Sequence, residues 1–466
     1  MTLPFSQIAA IVGDENFLRS PEELHCYSFD ASKMRFVAEG VAFPADVAQI
    51  SALVKLANEH RFPVYPRGAA SGMVGACLPQ GGLVIVTNRL NRILEIDPGN
   101  MTAVLEPGVI TGDFQKAVSR YGLLYPPDPA SLAFSTMGGN VATCAGGPRA
   151  VKYGVTRDYL LGLEIVLPTG EIVRTGTRTM KGVVGYDMTR LMAGSEGTLG
   201  IFSRIVVRLV PAPESVRTLT AVFASLDCAV NAICEILIAR IIPSTIELMD
   251  QATIRAVENH LRIGLPVEAE ALVLIEVDGP AVVLDGQIAR IEEICLKGGA
   301  DRTEAAHSDE ERNRLWQARR GISPALGRIK PGKINEDVTV PRTKIPQFIR
   351  SVRSLAEKYD LTIVCFGHAG DGNIHTNIML DRKDENERRR AGKAAEELFE
   401  IVLGLGGTIS GEHGIGIAKS PFIELEVGAG GLDAMRRIKL ALDPLNIMNP
   451  GKMFVPDRTF LEGTFV

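Results

Sequence analysis

A chain of 466 residues is too long for one core and predicts two or three domains. With 46% hydrophobic and 23% charged residues it is globular rather than disordered, and a net charge of -5 without a basic stripe argues against a nucleic-acid partner. The longest apolar region, 228–243, is broken by Asn231, Glu235 and Arg240, so it reads as a buried helix and not as a membrane span.

The start, Met1-Thr2-Leu3-Pro4-Phe5-Ser6, carries no Lys or Arg ahead of its apolar residues, and no secretory signal is expected. Seven cysteines with no Cys-x-x-Cys, the nearest pair being Cys228 and Cys234, predict neither a disulfide framework nor an iron-sulfur cluster. A reducing cytoplasm is the expected home, and burial as small hydrophobes suffices for the thiols.

In chain order, Ile8, Ile11, Val12 and Phe17 form a short helical pattern. Asp46 then caps a helix through Val47, Ile50, Val54 and Ala57. A short strand around Pro63-Val64-Tyr65 runs into Arg67-Gly68-Ala69-Ala70-Ser71-Gly72, where small residues let backbone N–H groups approach a ligand. This loop is neither the dinucleotide fingerprint nor a Walker motif, and a phosphate nest and a plain turn are both open for it. Strands are predicted at 83–87, 93–96 and 102–105, and a helix at 111–121. Two further small-residue clusters follow, Ser135 to Gly147 after Pro126-Pro127-Asp128-Pro129, and Gly194 to Ile201. Three such loops suggest a long ligand touched repeatedly by backbone.

Past Pro211-Ala212-Pro213 strands and helices alternate: 219–223, 228–241, 244–249, 271–277 and 282–295. A helix over 311–326 carries Trp316, Arg319, Arg320 and Ser323, and a charged helix at 384–404 reads as a solvated surface. Between them the run Gly367-His368-Ala369-Gly370-Asp371-Gly372-Asn373-Ile374-His375 reads as strand, turn, strand. The β-branched and aromatic residues 363–366 lead in, and Gly370 and Gly372 oppose a helix. Such a turn can bring His368 and His375 together, and with Glu412 from Gly411-Glu412-His413-Gly414-Ile415-Gly416 they form a set able to hold a divalent ion. From spacing alone, ordinary turn histidines remain the alternative.

The Pro66-Arg67-Gly68 loop, Pro-Pro-Asp-Pro, the Gly-Gly-Asn run, Gly-Ser-Glu-Gly-Thr-Leu-Gly-Ile, Gly-His-x-Gly-Asp-Gly-Asn-x-His, Gly-Glu-His-Gly-x-Gly and Asn449-Pro450-Gly451-Lys452 together resemble one family. It is the FAD-linked 2-hydroxy-acid dehydrogenases of the vanillyl-alcohol-oxidase/p-cresol-methylhydroxylase superfamily: D-lactate dehydrogenases, the glycolate oxidase flavin subunit and D-2-hydroxyglutarate dehydrogenase. The likeness covers nearly the whole chain. It implies an α+β fold, with a two-subdomain FAD-binding domain at 1–213, a substrate or cap domain with a helix-covered antiparallel sheet at 214–415, and a C-terminal segment, 416–466, returning to the first domain.

The resemblance further implies FAD pyrophosphate over Arg67, Gly68, Ala69, Ala70, Ser71 and Gly72. The isoalloxazine and ribityl region would lie near Pro127, Asp128, Thr136, Gly139, Asn140, Ala142, Thr143 and Gly146, with adenine-side contacts at Glu196, Gly197 and Ile201 and closure by Asn449. Ala69 and Ala70 stand where covalently flavinylated relatives carry a histidine, so non-covalent FAD is expected. Arg319 matches the arginine for the substrate carboxylate, with Arg320 the alternative about 100° round the helix. Ser323, Lys333 and His413 complete the substrate contacts. Lys333 is displaced by two from the lysine that serves a distal carboxylate, where Asn335-Glu336 stand here, and a small monocarboxylate is favoured.

The expected chemistry is oxidation of a small D-2-hydroxy acid, with His368, His375 and Glu412 holding Zn, Fe or Mn, His413 as base, and the hydride passing to flavin N5. His25, His60, His260 and His307 are left structural. Electrons would leave for an electron-transferring flavoprotein, a quinone, a cytochrome or an iron-sulfur subunit; such a partner could hold the chain at the inner membrane, and a homodimer is left open. The alternatives are a flavin oxidase of another alcohol or sugar lactone, and a non-catalytic flavin subunit of an electron-transfer complex.

Overall fold

Asp46 accepts the amide of Gln49 and starts the helix Val47–His60, whose buried face is Ile50, Leu53, Val54 and Ala57. The computed structural model describes residues 3–455, so the last part of the expected C-terminal segment, 456–466, and the first two residues lie outside the described residues. The described chain forms two compact units. The first holds 3–146, 155–212 and 412–455; the second holds 147–154 and 213–411.

In the first unit, β1 (Phe17–Leu18), β2 (Gly40–Ala42), β3 (Val64–Arg67) and β4 (Leu83–Val86) form a sheet of order β1-β2-β4-β3, with β4 parallel to both β2 and β3. The parallel pairing follows from the helix Val47–His60, which returns the chain between β2 and β3. Phe17, expected on a helix, pairs in β1 because Gly13 (φ 87°) ends the helix Phe5–Val12 first. A second, antiparallel sheet is built from β5 (Ile93–Asp97), β6 (Thr102–Leu105), β8 (Leu160–Val166), β9 (Ile172–Gly176) and β10 (Ile201–Arg208), in the order β5-β6-β10-β8-β9. Between β6 and β8 in sequence, β7 (Leu123–Leu124) pairs instead with β11 (Val210–Pro211). One core joins the two larger sheets through Ile50, Val54, Ile85, Val166, Ile201 and Met448. The C-terminal chain returns alongside β3: the Val64 amide donates to the Ile447 carbonyl, and the Asn449 amide to the Val64 carbonyl.

The second unit is built on one seven-stranded sheet, β12 (Ser215–Phe223), β13 (Thr245–Asp250), β14 (Ala271–Gly279), β15 (Ala300–Ala305), β16 (Gly332–Thr339), β17 (Thr362–His368) and β18 (Asn373–Leu380), in the order β15-β12-β14-β13-β17-β18-β16. All its pairs are antiparallel. The helix expected over 311–326 is two helices, Asp309–Arg320 and Ile322–Ile329, broken at Gly321. The strand, turn, strand reading of 363–379 is met by β17 and β18, with Gly372 (φ 92°) in the turn. The short piece 147–154 is fastened in this unit: Lys152 and Tyr153 hydrogen-bond Asp278, and Gly370 lies against Val151, leaving no room for a Cβ. No helix among the described residues is long and apolar enough to cross a membrane.

Candidate functional site

The first unit carries a cleft, open at its mouth, walled largely by small residues. Of the residues expected to hold a cofactor, Arg67, Gly68, Ala69, Ala70, Ser71, Gly72, Thr136, Gly139, Asn140, Ala142, Thr143, Glu196, Gly197 and Ile201 line it, and so do Glu412 and His413. Pro129, Ala130 and Ser131 line it from the Pro-rich loop, in place of Pro127 and Asp128. Asp30 and Cys77, which no sequence pattern marked, also face it.

Local chemistry shapes these walls. The Arg67 guanidinium donates to the carbonyls of Tyr27 and Phe29 and stacks on the Tyr27 ring, so it braces the loop. A Cβ on Gly68 would fall 2.4 Å from Thr136 Oγ1, which is what brings the first two small-residue loops together. A Cβ on Gly72 would meet no protein atom within 4 Å. Thr136 caps the helix Met137–Thr143, and Asn140 Nδ2 donates to Thr111 Oγ1 at 2.7 Å. Gly146 lies against the Glu412 carboxylate.

Beneath the cleft, Glu196 is in the left-handed region (φ 51°) and ties three segments. Its amide donates to Ala142, its carbonyl accepts from Asn449 Nδ2 at 2.6 Å, and its carboxylate accepts the amides of Ile415 and Gly416 at 2.6 and 2.7 Å. Burial pushes Glu196 up to about 7 and its buried neighbour Lys452 down to about 8. Ser195 Oγ and Asn449 Oδ1 are buried with no hydrogen-bond partner among the described residues. Small-residue walls of this kind let backbone N–H groups approach a long ligand.

The second unit carries a polar patch on one face of its sheet. Cross-strand register aligns Glu247 with His368, Phe366 with His375, His368 with Asn373, and His375 with Asp337. The His368 and His375 rings are 5.2 Å apart and nearly perpendicular. His368 Nδ1 pairs with one oxygen of Glu247, and Arg319 Nε with the other. Burial opposes ionisation of Glu247, but Arg319 and His368 outweigh it and hold its carboxyl far below the usual range. Arg319 also lies over the Phe366 ring at 4.9 Å, whereas the exposed Arg320 donates to the Asn313 carbonyl, so Arg319 is the one facing the patch. Asp337, fully buried, accepts from Asn373 Nδ2 at 2.6 Å and stands 3.6 Å from His375 Nδ1. Its carbonyl takes the amide of Gly411, the residue before Glu412 in sequence. Lys333 shares this face of β16, and Ser323 is exposed on Ile322–Ile329.

Two neighbouring imidazoles with the Glu247 and Asp337 carboxylates beside them are the kind of donor set that could hold Zn, Fe or Mn. Sequence reasoning missed Glu247, Asp337 and Asn373. The available signal was an acid set among apolar strand residues, as in Thr245-Ile246-Glu247-Leu248-Met249.

Compared with known proteins, residues 212–453 match the family described as FAD linked oxidases, C-terminal domain, and residues 38–176 the FAD binding domain. The chain belongs to the FAD-linked oxidases. Within this oxidoreductase family it is 46% identical over 453 residues to the glycolate oxidase subunit GlcD of Bacillus subtilis, covering 97% of this chain and 96% of the relative. It is 36% identical to the D-lactate dehydrogenase of Anaerostipes hadrus, covering 87% of each. Among solved structures, the 4-ethylphenol oxidase of Gulosibacter chungangensis has a TM-score of 0.78 at 20% identity, over 98% of this chain and 97% of that one. A substrate-bound p-cresol methylhydroxylase has a TM-score of 0.77 at 17% identity, over 97% and 96%. The fold expected from the sequence is therefore met: this FAD-linked oxidase has a p-cresol-methylhydroxylase-type FAD-binding fold joined to an antiparallel-sheet domain.

Proposed function

We propose that this FAD-linked oxidase converts a small D-2-hydroxy acid, D-lactate or glycolate, to the 2-oxo acid. The observation that carries the reading is the grouping of Arg319, His368 and His375 on one sheet face, which pairs an anion-binding fork with metal-binding imidazoles. The activities named for the relatives support the same substrate class. Non-covalent FAD, held by backbone in the small-residue loops, would supply the hydride acceptor, and a divalent ion on His368, His375 and Glu412 would polarise the hydroxyl. In this reading Arg319 offers its two Nη groups to the substrate carboxylate while Nε stays on Glu247. The His413 imidazole, a wall of the flavin cleft, takes the hydroxyl proton. Lys333 and Ser323 are the outer substrate contacts; Lys333 lies four residues along β16 from Asp337, about 13 Å at 3.3 Å per residue, which favours a monocarboxylate. Electrons leave through an external acceptor: an electron-transferring flavoprotein, a quinone, a cytochrome or an iron-sulfur subunit.

The test is anaerobic mixing of the metal-supplied yellow protein with D-lactate, L-lactate, glycolate, D-malate and D-2-hydroxyglutarate while flavin absorbance is followed. D-lactate or glycolate should bleach it; no bleaching by any of them ends the proposal. His413→Ala should keep FAD and metal but reduce at least 100-fold more slowly, whereas His368→Ala should lose metal. Equal activity of both variants would remove the assigned roles.

A further inference from the structure

We propose that Glu247 is a positioning residue that aims both halves of the substrate grip, the imidazole of His368 and the guanidinium of Arg319. This rests on the roles proposed above for those two residues.

Glu247 stands opposite His368 in the β13–β17 ladder and is 1% exposed. Its two oxygens diverge, one to His368 Nδ1 and one to Arg319 Nε. A buried ion pair of this kind adds little net stability over apolar residues of the same size, so what it contributes is direction. By accepting from Nδ1, the carboxylate selects the His368 tautomer that carries its lone pair on Nε2, and it fixes the plane in which that lone pair lies. By holding Nε, it fixes the plane of the guanidinium and leaves the paired Nη edge for a carboxylate. Phe366 completes the brace: its ring lies under Arg319 and 5.4 Å from the His375 ring. One residue thus orients a cation ligand and an anion fork.

The test compares FAD-loaded wild type, Glu247→Gln and Glu247→Asp by Zn²⁺ titration against a chromophoric chelator, together with KM and kcat for the hydroxy acid that reduces the flavin. Glu247→Gln should weaken Zn²⁺ binding about 10–100-fold and raise KM more than it lowers kcat, with unchanged flavin content. Glu247→Asp keeps the charge on a shorter stem and should lose about tenfold in Zn²⁺ affinity; it decides the matter if the Gln variant does not fold. A lower Tm with unchanged Zn²⁺ affinity and KM would mean a purely structural residue and overturn the inference. A wild type that binds none of Zn²⁺, Fe²⁺ and Mn²⁺ would instead overturn the metal reading. The inference would then stand or fall on the KM change through Arg319, and an unchanged KM would end it.

Discussion

Around the cleft of the first unit the inward-facing groups are mostly glycine, alanine, serine and threonine, set on loops braced by Arg67, Thr136 and Glu196. Across β13, β17, β18 and β16 they include charged and imidazole side chains on ladder-paired strands, with Glu247 held by Arg319 and Asp337 by Asn373. A resident cofactor can be held by backbone, whose N–H groups need no desolvation of charge. A substrate that must come and go is better met by side chains whose charges are already compensated, so that an empty site does not strand a buried ion.

The largest effect that tests this contrast concerns stability in the second unit. Arg319→Ala should leave Glu247 buried without its guanidinium and lower unfolding free energy by about 3–5 kcal/mol in urea, while Arg319→Lys should retain most of it and still raise KM. If the Ala variant melts like wild type, compensation is not what organises the patch.

A smaller effect belongs to Glu196. Its folded value near 7 against 4.5 means that the folded chain keeps a proton the unfolded chain has released between those pH values. Stability from this group therefore falls as pH rises from about 4.5 to 7, by about 3 kcal/mol in all at 1.36 kcal/mol per unit. Glu196→Gln should flatten that slope in urea unfolding at pH 5 and 7.5; an unaltered slope would show that another group sets it.

The smallest effect sharpens the backbone side of the contrast. Gly72→Ala adds a Cβ facing open space, so the flavin-free protein should unfold within about 1 kcal/mol of wild type while FAD binds several-fold more weakly. Gly68→Ala, crowding Thr136, should lose stability as well. Unchanged FAD affinity for Gly72→Ala would remove that loop from the cradle.

The three small-residue clusters were legible as loops, and residues of all three line one cleft, whereas composition alone left a phosphate nest and a plain turn both open for the first. The β17–β18 hairpin was legible because a β-branched run followed by Gly-Asp-Gly-Asn has one natural geometry. Glu247 was not legible: it lies 121 residues before His368, and the register joining β13 to β17 is set by packing far from either residue. The break at Gly321 was hidden because Ala318, Ile322, Ala325 and Leu326 all bury against one core, and the apolar pattern continues across it. Arg67 stands in the loop that the resemblance sets over the pyrophosphate; what was not legible is that its guanidinium bonds the carbonyls of Tyr27 and Phe29, some forty residues earlier.

The eight residues 147–154 make the two units inseparable at the level of the gene. They follow the second small-residue loop in sequence, yet Lys152 and Tyr153 are spent on Asp278, and Val151 fills the space beside Gly370 in the hairpin turn. A fragment of 213–411 expressed alone would uncover the Asp278 carboxylate and leave a hole at that turn. Shuffling of this sheet domain between proteins accordingly requires two exchanges and not one, and a working chimera must carry the small clasp along with the large piece.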